Sequence, residues 1–144
     1  MVKRKTRSLS FLAVAAISLM VILALALGFV LWASSALGPD TTALAALNSS
    51  PTVDVVSGMD WITFQPSAQT TRTAFIFYPG GKVEYRSYAP ALRQIAEAGY
   101  LVVLPNMPLN LAFLSPDKAA KIIKNFPNVM NWVIGGHSLG GSMA

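Results

Sequence analysis

Leu9 to Trp32 contains no charged residue, and its only polar side chains are those of Ser10 and Ser18. A helix built from it has no polar face to turn to water. Its 24 residues would rise ~36 Å as an α-helix, more than a bilayer hydrocarbon core of about 30 Å. The stretch therefore predicts a membrane-spanning helix over residues 9–33, with the lipid bilayer as partner through Leu9–Trp32. Lys3, Arg4, Lys5 and Arg7 stand just before it, with no acid among them. Basic residues at one end of a span stay on the cytoplasmic side. Residues 1–8 are thus expected to be a cytoplasmic head, and the chain beyond the helix to lie outside the cytoplasm, as in a single-pass protein of the cell membrane. Trp32 suits an interfacial anchor. The competing reading is a cleaved signal peptide, with Ala33-Ser34-Ser35-Ala36 as the cleavage site. Such peptides carry apolar regions of about 7–15 residues, so the length here favours an uncleaved signal-anchor. A lipoprotein is excluded, because there is no cysteine to acylate.

The head also accounts for most of the net charge of +5. Without those four basic residues, the other Lys and Arg nearly balance the six acids. No basic surface remains for a nucleic-acid partner. The lack of cysteine removes disulfides and thiolate chemistry.

After the span, residues 34–52 are rich in Ala, Ser, Thr and Asn and are broken by Gly38-Pro39, which reads as a linker with little core of its own. Val53–Val56 and Trp61–Gln65 predict a hairpin turning at Ser57-Gly58-Met59-Asp60 and closed by Pro66. A polar loop follows, Ser67 to Arg72. Ala74–Tyr78 is short and almost wholly apolar, as in a strand buried on both faces of a parallel sheet, and it ends at Pro79-Gly80-Gly81. A helix comes next: Ser87 is positioned to cap it, Pro90 falls in its first turn, Tyr88, Leu92 and Ile95 keep helical spacing, and Gly99 terminates it. Leu101–Leu104 is another buried strand, stopped by Pro105.

The loop Asn106–Leu114 is unusually apolar. Met107, Leu109, Leu111, Phe113 and Leu114 either line a substrate cleft or join the core, the commoner fate of such residues. Ser115-Pro116-Asp117 then opens a second helix with a cap, an N1 proline and an N-terminal acid. Ile122, Ile123 and Phe126 form its apolar side, and Lys118, Lys121 and Lys124 its solvated face. Strands alternating with helices predict a parallel sheet covered on both faces.

The next strand, Asn131–Ile134, breaks abruptly into glycines around one serine. Gly136-His137-Ser138-Leu139-Gly140 matches G-x-S-x-G, in which a strained strand-to-helix turn holds a serine hydroxyl above a sheet. Glycines two residues either side remove side chains that would crowd the serine. A helix starting near Leu139 would aim its free N–H groups at the same place. The plainer alternative is a glycine-rich strand end with a surface serine. Phosphate-binding motifs do not fit: no G-x-G-x-x-G lies over this stretch, and Gly80-Gly81-Lys82-Val83 lacks the Walker spacing.

Two ordered motifs, Tyr78-Pro79-Gly80-Gly81 and Gly136-His137-Ser138-Leu139-Gly140, separated by two strand–helix units, give Val53 to Ala144 a resemblance. The stretch resembles the first half of an α/β-hydrolase of the small, membrane-anchored serine-hydrolase type. The resemblance implies an α/β fold: a partial α/β-hydrolase sheet with helices on both faces, preceded by the transmembrane helix. It also implies an antiparallel edge from the first strands, Ala74–Tyr78 as third strand and the elbow strand in mid-sheet. Ser138 would be the nucleophile, and the backbone N–H groups of Leu139 and Gly81 the oxyanion donors. Lys82 beside that loop is expected to face solvent. The substrate would be a small-molecule ester or related acyl compound, with no metal and no organic cofactor.

The family orders its triad as serine, acid, histidine, and the six residues after Ser138 contain neither acid nor histidine. The sole histidine, His137, is expected to pack beneath the turn. Residues 53–144 are therefore expected to be the N-terminal part of the domain, cut after the nucleophile elbow, inactive alone, with the elbow strand's outer edge unpaired. Two other functions stay open: a non-catalytic membrane-anchored interaction module with this fold, and an acyltransferase in which an alcohol replaces water.

Overall fold

The structure, a computed structural model, describes residues 6–68 and 71–144. Residues 1–5 of the basic head and residues 69 and 70 of the polar loop lie outside the described residues. The first helix, α1 (Thr6–Ser34), is continuous. Its segment Phe11–Ser34 has a mean hydropathy of 2.8, long and apolar enough to cross a membrane. Among the residues of that segment only Ala33 is buried.

The segment read as a linker is docked instead of free. Asp40 accepts the Ala43 N–H at 2.7 Å and so caps a short helix, α2 (Thr41–Ala45). Arg93 donates to the carbonyls of Ala46 and Asn48 at 3.0 and 2.6 Å. Ala46 and Leu47 pack on one of the two hydrophobic clusters. Composition did not show this, because the partners lie more than forty residues away in sequence.

The hairpin forms where alternation and turn chemistry predict it, as β1 (Val53–Ser57) and β2 (Trp61–Pro66). Gly58 donates to the Trp61 carbonyl at 2.9 Å to close its turn. The strands β3 (Thr73–Tyr78), β4 (Leu101–Pro105) and β5 (Asn131–Gly136) complete one sheet in the order β1-β2-β4-β3-β5. β1, β2 and β4 pair antiparallel, and β4, β3 and β5 pair parallel.

Period-two alternation then sorts the side chains by face. Val102 and Leu104 join Ile62, Phe64, Leu92 and Ala96 under α3 (Ala89–Glu97). Leu101, Val103, Ala74, Ile76 and Tyr78 join Ala119 and Ile122 under α4 (Lys118–Asn125). Helices thus cover both faces. The elbow strand, expected in mid-sheet, stands at the sheet's edge among the described residues and pairs with β3 alone. Its Val133 and Ile134 are 53% and 40% exposed, the unpaired apolar edge that the resemblance implied.

Both helix starts differ from expectation in how they are capped. Ser87 does not cap α3, because a 3-10 turn, Tyr85–Tyr88, runs directly into it, and that turn is capped by Glu84. The Ser87 hydroxyl is buried without a partner among the described residues. Gly99 ends α3 as expected, at φ 100. Asp117 makes no side-chain cap bond to α4. The Tyr78 hydroxyl does the work from β3, accepting the Ala119 N–H at 2.7 Å and donating to the Pro116 carbonyl at 3.0 Å. Lys118 is not solvated either: its side chain is 12% exposed and bonds Asp60 of the hairpin turn at 2.8 Å.

Candidate active site

β5 lies along β3 in register from Thr73↔Asn131 to Tyr78↔Gly136, so both strands end together. The chain then reverses through Ser138 into α5 (Leu139–Met143). Ser138 has φ 51 and ψ −122, a conformation that costs a non-glycine residue on the order of 1–3 kcal/mol. A Cβ on Gly136 would sit 2.5 Å from the Tyr78 carbonyl oxygen and 2.7 Å from the Gly140 carbonyl carbon. One on Gly140 would strike the carbonyls of Tyr78 and Pro79. The two glycines therefore clear the end of β3 for the incoming helix, rather than clearing space around the serine itself. The turn is fastened by the His137 N–H to Tyr78 O at 3.1 Å and the Gly140 N–H to His137 O at 2.9 Å.

The loop after β3 meets this turn. A Cβ on Gly81 would stand 3.0 Å from Leu139 Cδ2 and 3.6 Å from Leu139 Cβ. The residues flanking Gly81 have committed N–H groups: Gly80 donates to the Tyr88 hydroxyl at 3.1 Å and Lys82 to the Asn110 carbonyl at 3.1 Å. Among the described residues, the N–H groups of Gly81 and Leu139 donate no hydrogen bond. Two uncommitted N–H groups thus lie on adjoining segments beside Ser138, with the positive end of the turn's short helix behind one of them.

His137 does not pack beneath the turn. It is exposed, and its Nδ1 meets the Tyr88 hydroxyl at 2.9 Å with the rings 5.9 Å apart. Because that hydroxyl already accepts the Gly80 N–H, its own proton is free for an unprotonated Nδ1. The side chain emerges on the α3 side of an edge strand, where Tyr88 is held against Phe77 at 4.9 Å. Tyr88 and Asn110 are the two residues of this neighbourhood that sequence reasoning did not assign to the site. Tyr88 was legible only as a helical spacing, and Asn110 only as part of an apolar loop.

Part of that loop joins the core. Met107, Leu111 and Ala112 are buried, whereas Phe113 and Leu114 are 46% and 43% exposed. Leu111 also stands behind the loop after β3, its Cδ2 3.7 Å from a Cβ built on Gly81. Further from the serine, burial pushes the Tyr78 phenol above its ordinary pKa. Among the described residues no three His, Cys, Asp or Glu side chains gather to hold a metal. A surface cavity lined by Gln65, Leu101, Phe126 and Val129 opens at the opposite ends of these strands. Ligands in open α/β sheets bind at the carboxyl ends, where Ser138 is.

Residues 74–144 match the Alpha/beta hydrolase family. No curated protein matches the chain. Among solved structures, an esterase/lipase from an uncultured bacterium superposes with a TM-score of 0.53 at 14% identity, covering 71% of this chain. The chain spans 40% of the length of that structure. With the sheet order and the elbow, these matches show a partial α/β-hydrolase-like fold, at low identity. The chain joins this hydrolase-like fold to an N-terminal helix apolar enough to anchor it in a membrane.

Proposed function

We propose that this chain is a membrane-tethered serine hydrolase acting on carboxylic esters or related acyl bonds, with its hydrolase domain outside the cytoplasm. The carrying observation is the backbone of Ser138, φ 51 and ψ −122, strained in the way functional residues are. The family match to residues 74–144 and the likeness to a solved esterase/lipase support the same reading. The four basic residues before Leu9 support the orientation.

In this reading Ser138 Oγ bonds to the acyl carbonyl carbon while its proton passes to a base. The resulting oxyanion is held by the N–H groups of Leu139 and Gly81, each such donor contributing about 10²–10³-fold in rate. Collapse expels the alcohol, which takes the proton, and water then repeats the sequence on the acyl-serine. A serine hydroxyl is a weak nucleophile without a base. His137 is engaged by Tyr88 through Nδ1 and is exposed on the α3 side. In this reading His137 is not the base, and residues 1–144 alone are expected to give no sustained turnover.

The test is hydrolysis of an activated ester by the protein in membranes of its own cells. Ser138→Ala is expected to abolish it, and undiminished turnover in that variant would refute the reading. A non-catalytic interaction module is favoured by one observation, the open apolar edge of β5, and it predicts no turnover in any form. Acyl transfer by the same residues is distinguished by product analysis.

A further inference from the structure

The membrane helix does more than hold the domain at the end of a linker, because its last turn is built into the loops of the candidate site. Ala33 is fully buried. The Trp32 ring carries Lys82 Nζ at 4.7 Å from its centroid. Leu37 forms a parallel bridge with Val83, its N–H donating to the Lys82 carbonyl and its carbonyl accepting the Glu84 N–H, both at 2.9 Å. Lys82 itself is left-handed at φ 58, immediately after Gly81. From Trp32 the path to the serine is therefore short: Trp32 to Lys82, Lys82 to its neighbour Gly81, Gly81 to Leu139, and Leu139 to its neighbour Ser138. The turn Pro108–Asn110 packs against the end of α1, and the turn Ala112–Leu114 packs against α5.

All of these loops stand at the carboxyl ends of β3, β4 and β5. A tryptophan closing a membrane span sits at the level of the lipid headgroups. The exposed large side chains of this end include Leu37 at 73%, Phe113 at 46% and Leu114 at 43%. Exposed apolar side chains continuous with a membrane anchor are covered most simply by the bilayer that holds the anchor. The ester carbonyls of acyl lipids lie at that same headgroup level. A site there reaches such a carbonyl without drawing the acyl chain through water, where each exposed methylene is unfavourable.

Resting on the reading of Ser138 given above, we propose that Phe113, Leu114 and Leu37 dip into the membrane interface beside α1, so that the site opens onto the bilayer and takes a long-chain acyl ester from the lipid phase.

Because the chain has no cysteine, single cysteines at Phe113, Leu114 and Asn128 can each carry an environment-sensitive fluorophore. Asn128 lies at the opposite end of the sheet, before β5. The full chain is reconstituted in phosphatidylcholine vesicles containing a lipid with a nitroxide just below the headgroup. Fluorophores at 113 and 114 are expected to be quenched several-fold more than the one at 128. Equal quenching at all three positions overturns the membrane placement, whatever Ser138 does. For the substrate, two fluorophosphonates are compared on the protein in its own membranes, one long-chain and membrane-dissolved, one short-chain and water-soluble. Phe113→Asp combined with Leu114→Asp is expected to slow modification of Ser138 by the long-chain reagent several-fold more than by the short-chain one. Equal effects on both overturn the substrate assignment. Failure of both reagents to modify Ser138 in the unaltered protein overturns the hydrolase reading, and with it the substrate assignment, while the quenching result still decides the placement.

Discussion

β4 and β5 are both short apolar runs in the parallel part of one sheet, and they end up in different environments. Leu101–Pro105 is buried at every position. It pairs with β2 on one side and β3 on the other, with α3 and α4 covering its faces. Asn131–Gly136 pairs with β3 alone and leaves Val133 and Ile134 substantially exposed. Burial therefore follows from the number of neighbours and not from the apolar run itself. The scaffold half of the sheet is held by packed side chains. The site half is placed by close backbone fits at glycines and by hydrogen bonds from the end of β3.

That contrast is broken most sharply by truncating one aliphatic side chain in each strand. Leu104→Ala in β4 is expected to cost about 2–5 kcal/mol, and Ile134→Ala in β5 about 0.5 kcal/mol, by chemical unfolding of the full chain in mild detergent. Comparable losses would show that β5 is packed as firmly as β4. Next comes the glycine fit. Gly140→Ala drives a Cβ into the Tyr78 and Pro79 carbonyls and is expected to cost about 3 kcal/mol, as severe overpacking does. Gly38→Ala, where no atom lies within 4 Å of the added carbon, is expected to change stability by no more than about 0.5 kcal/mol.

A smaller effect is expected at the joint between β3 and α4. Tyr78→Phe removes the hydroxyl that serves Pro116 and Ala119 and leaves a buried N–H unpaired, at about 1–3 kcal/mol. Because burial raises the Tyr78 pKa, its contribution is complete below pH 10 and declines as pH rises through the raised folded value. The smallest effect lies at the hairpin turn. The hydrogen bond and charge of Lys118 hold the Asp60 carboxyl below its usual 3.8. The folded-state value is the lower one, so the bridge stabilises above pH 3.8 and that stabilisation is lost as pH falls through the depressed value. Asp60→Asn should therefore lie slightly below the unaltered chain at neutral pH and converge with it in acid, as read from unfolding midpoints across pH.

The strands, the alternation with helices and the elbow were legible because each leaves a local trace. Ala74–Tyr78 and Leu101–Leu104 are apolar runs ended by proline or glycine, and Ser138 sits in a five-residue pattern with a steric cause. The features that escaped depend on contacts distant in sequence. Nothing near Asp40 announces that Arg93 will hold the carbonyls after α2. The α4 cap comes from Tyr78, about forty residues upstream, and it takes the place of the local cap that Ser115 was expected to form. His137 was expected under the turn by its place beside the serine, but its surroundings are set by Tyr88 and by the open side of an edge strand. The edge position of β5 is itself a matter of sheet order, which no single strand records.

The account rests on Ser138 being the residue that takes the acyl group. The direct measurement is to treat the protein in membranes of its own cells with a fluorophosphonate and to locate the adduct by peptide mass spectrometry. The account predicts one stoichiometric adduct, on Ser138, that disappears in Ser138→Ala. An adduct on a different residue, or none under conditions that label other serine hydrolases of the same membranes, would contradict it.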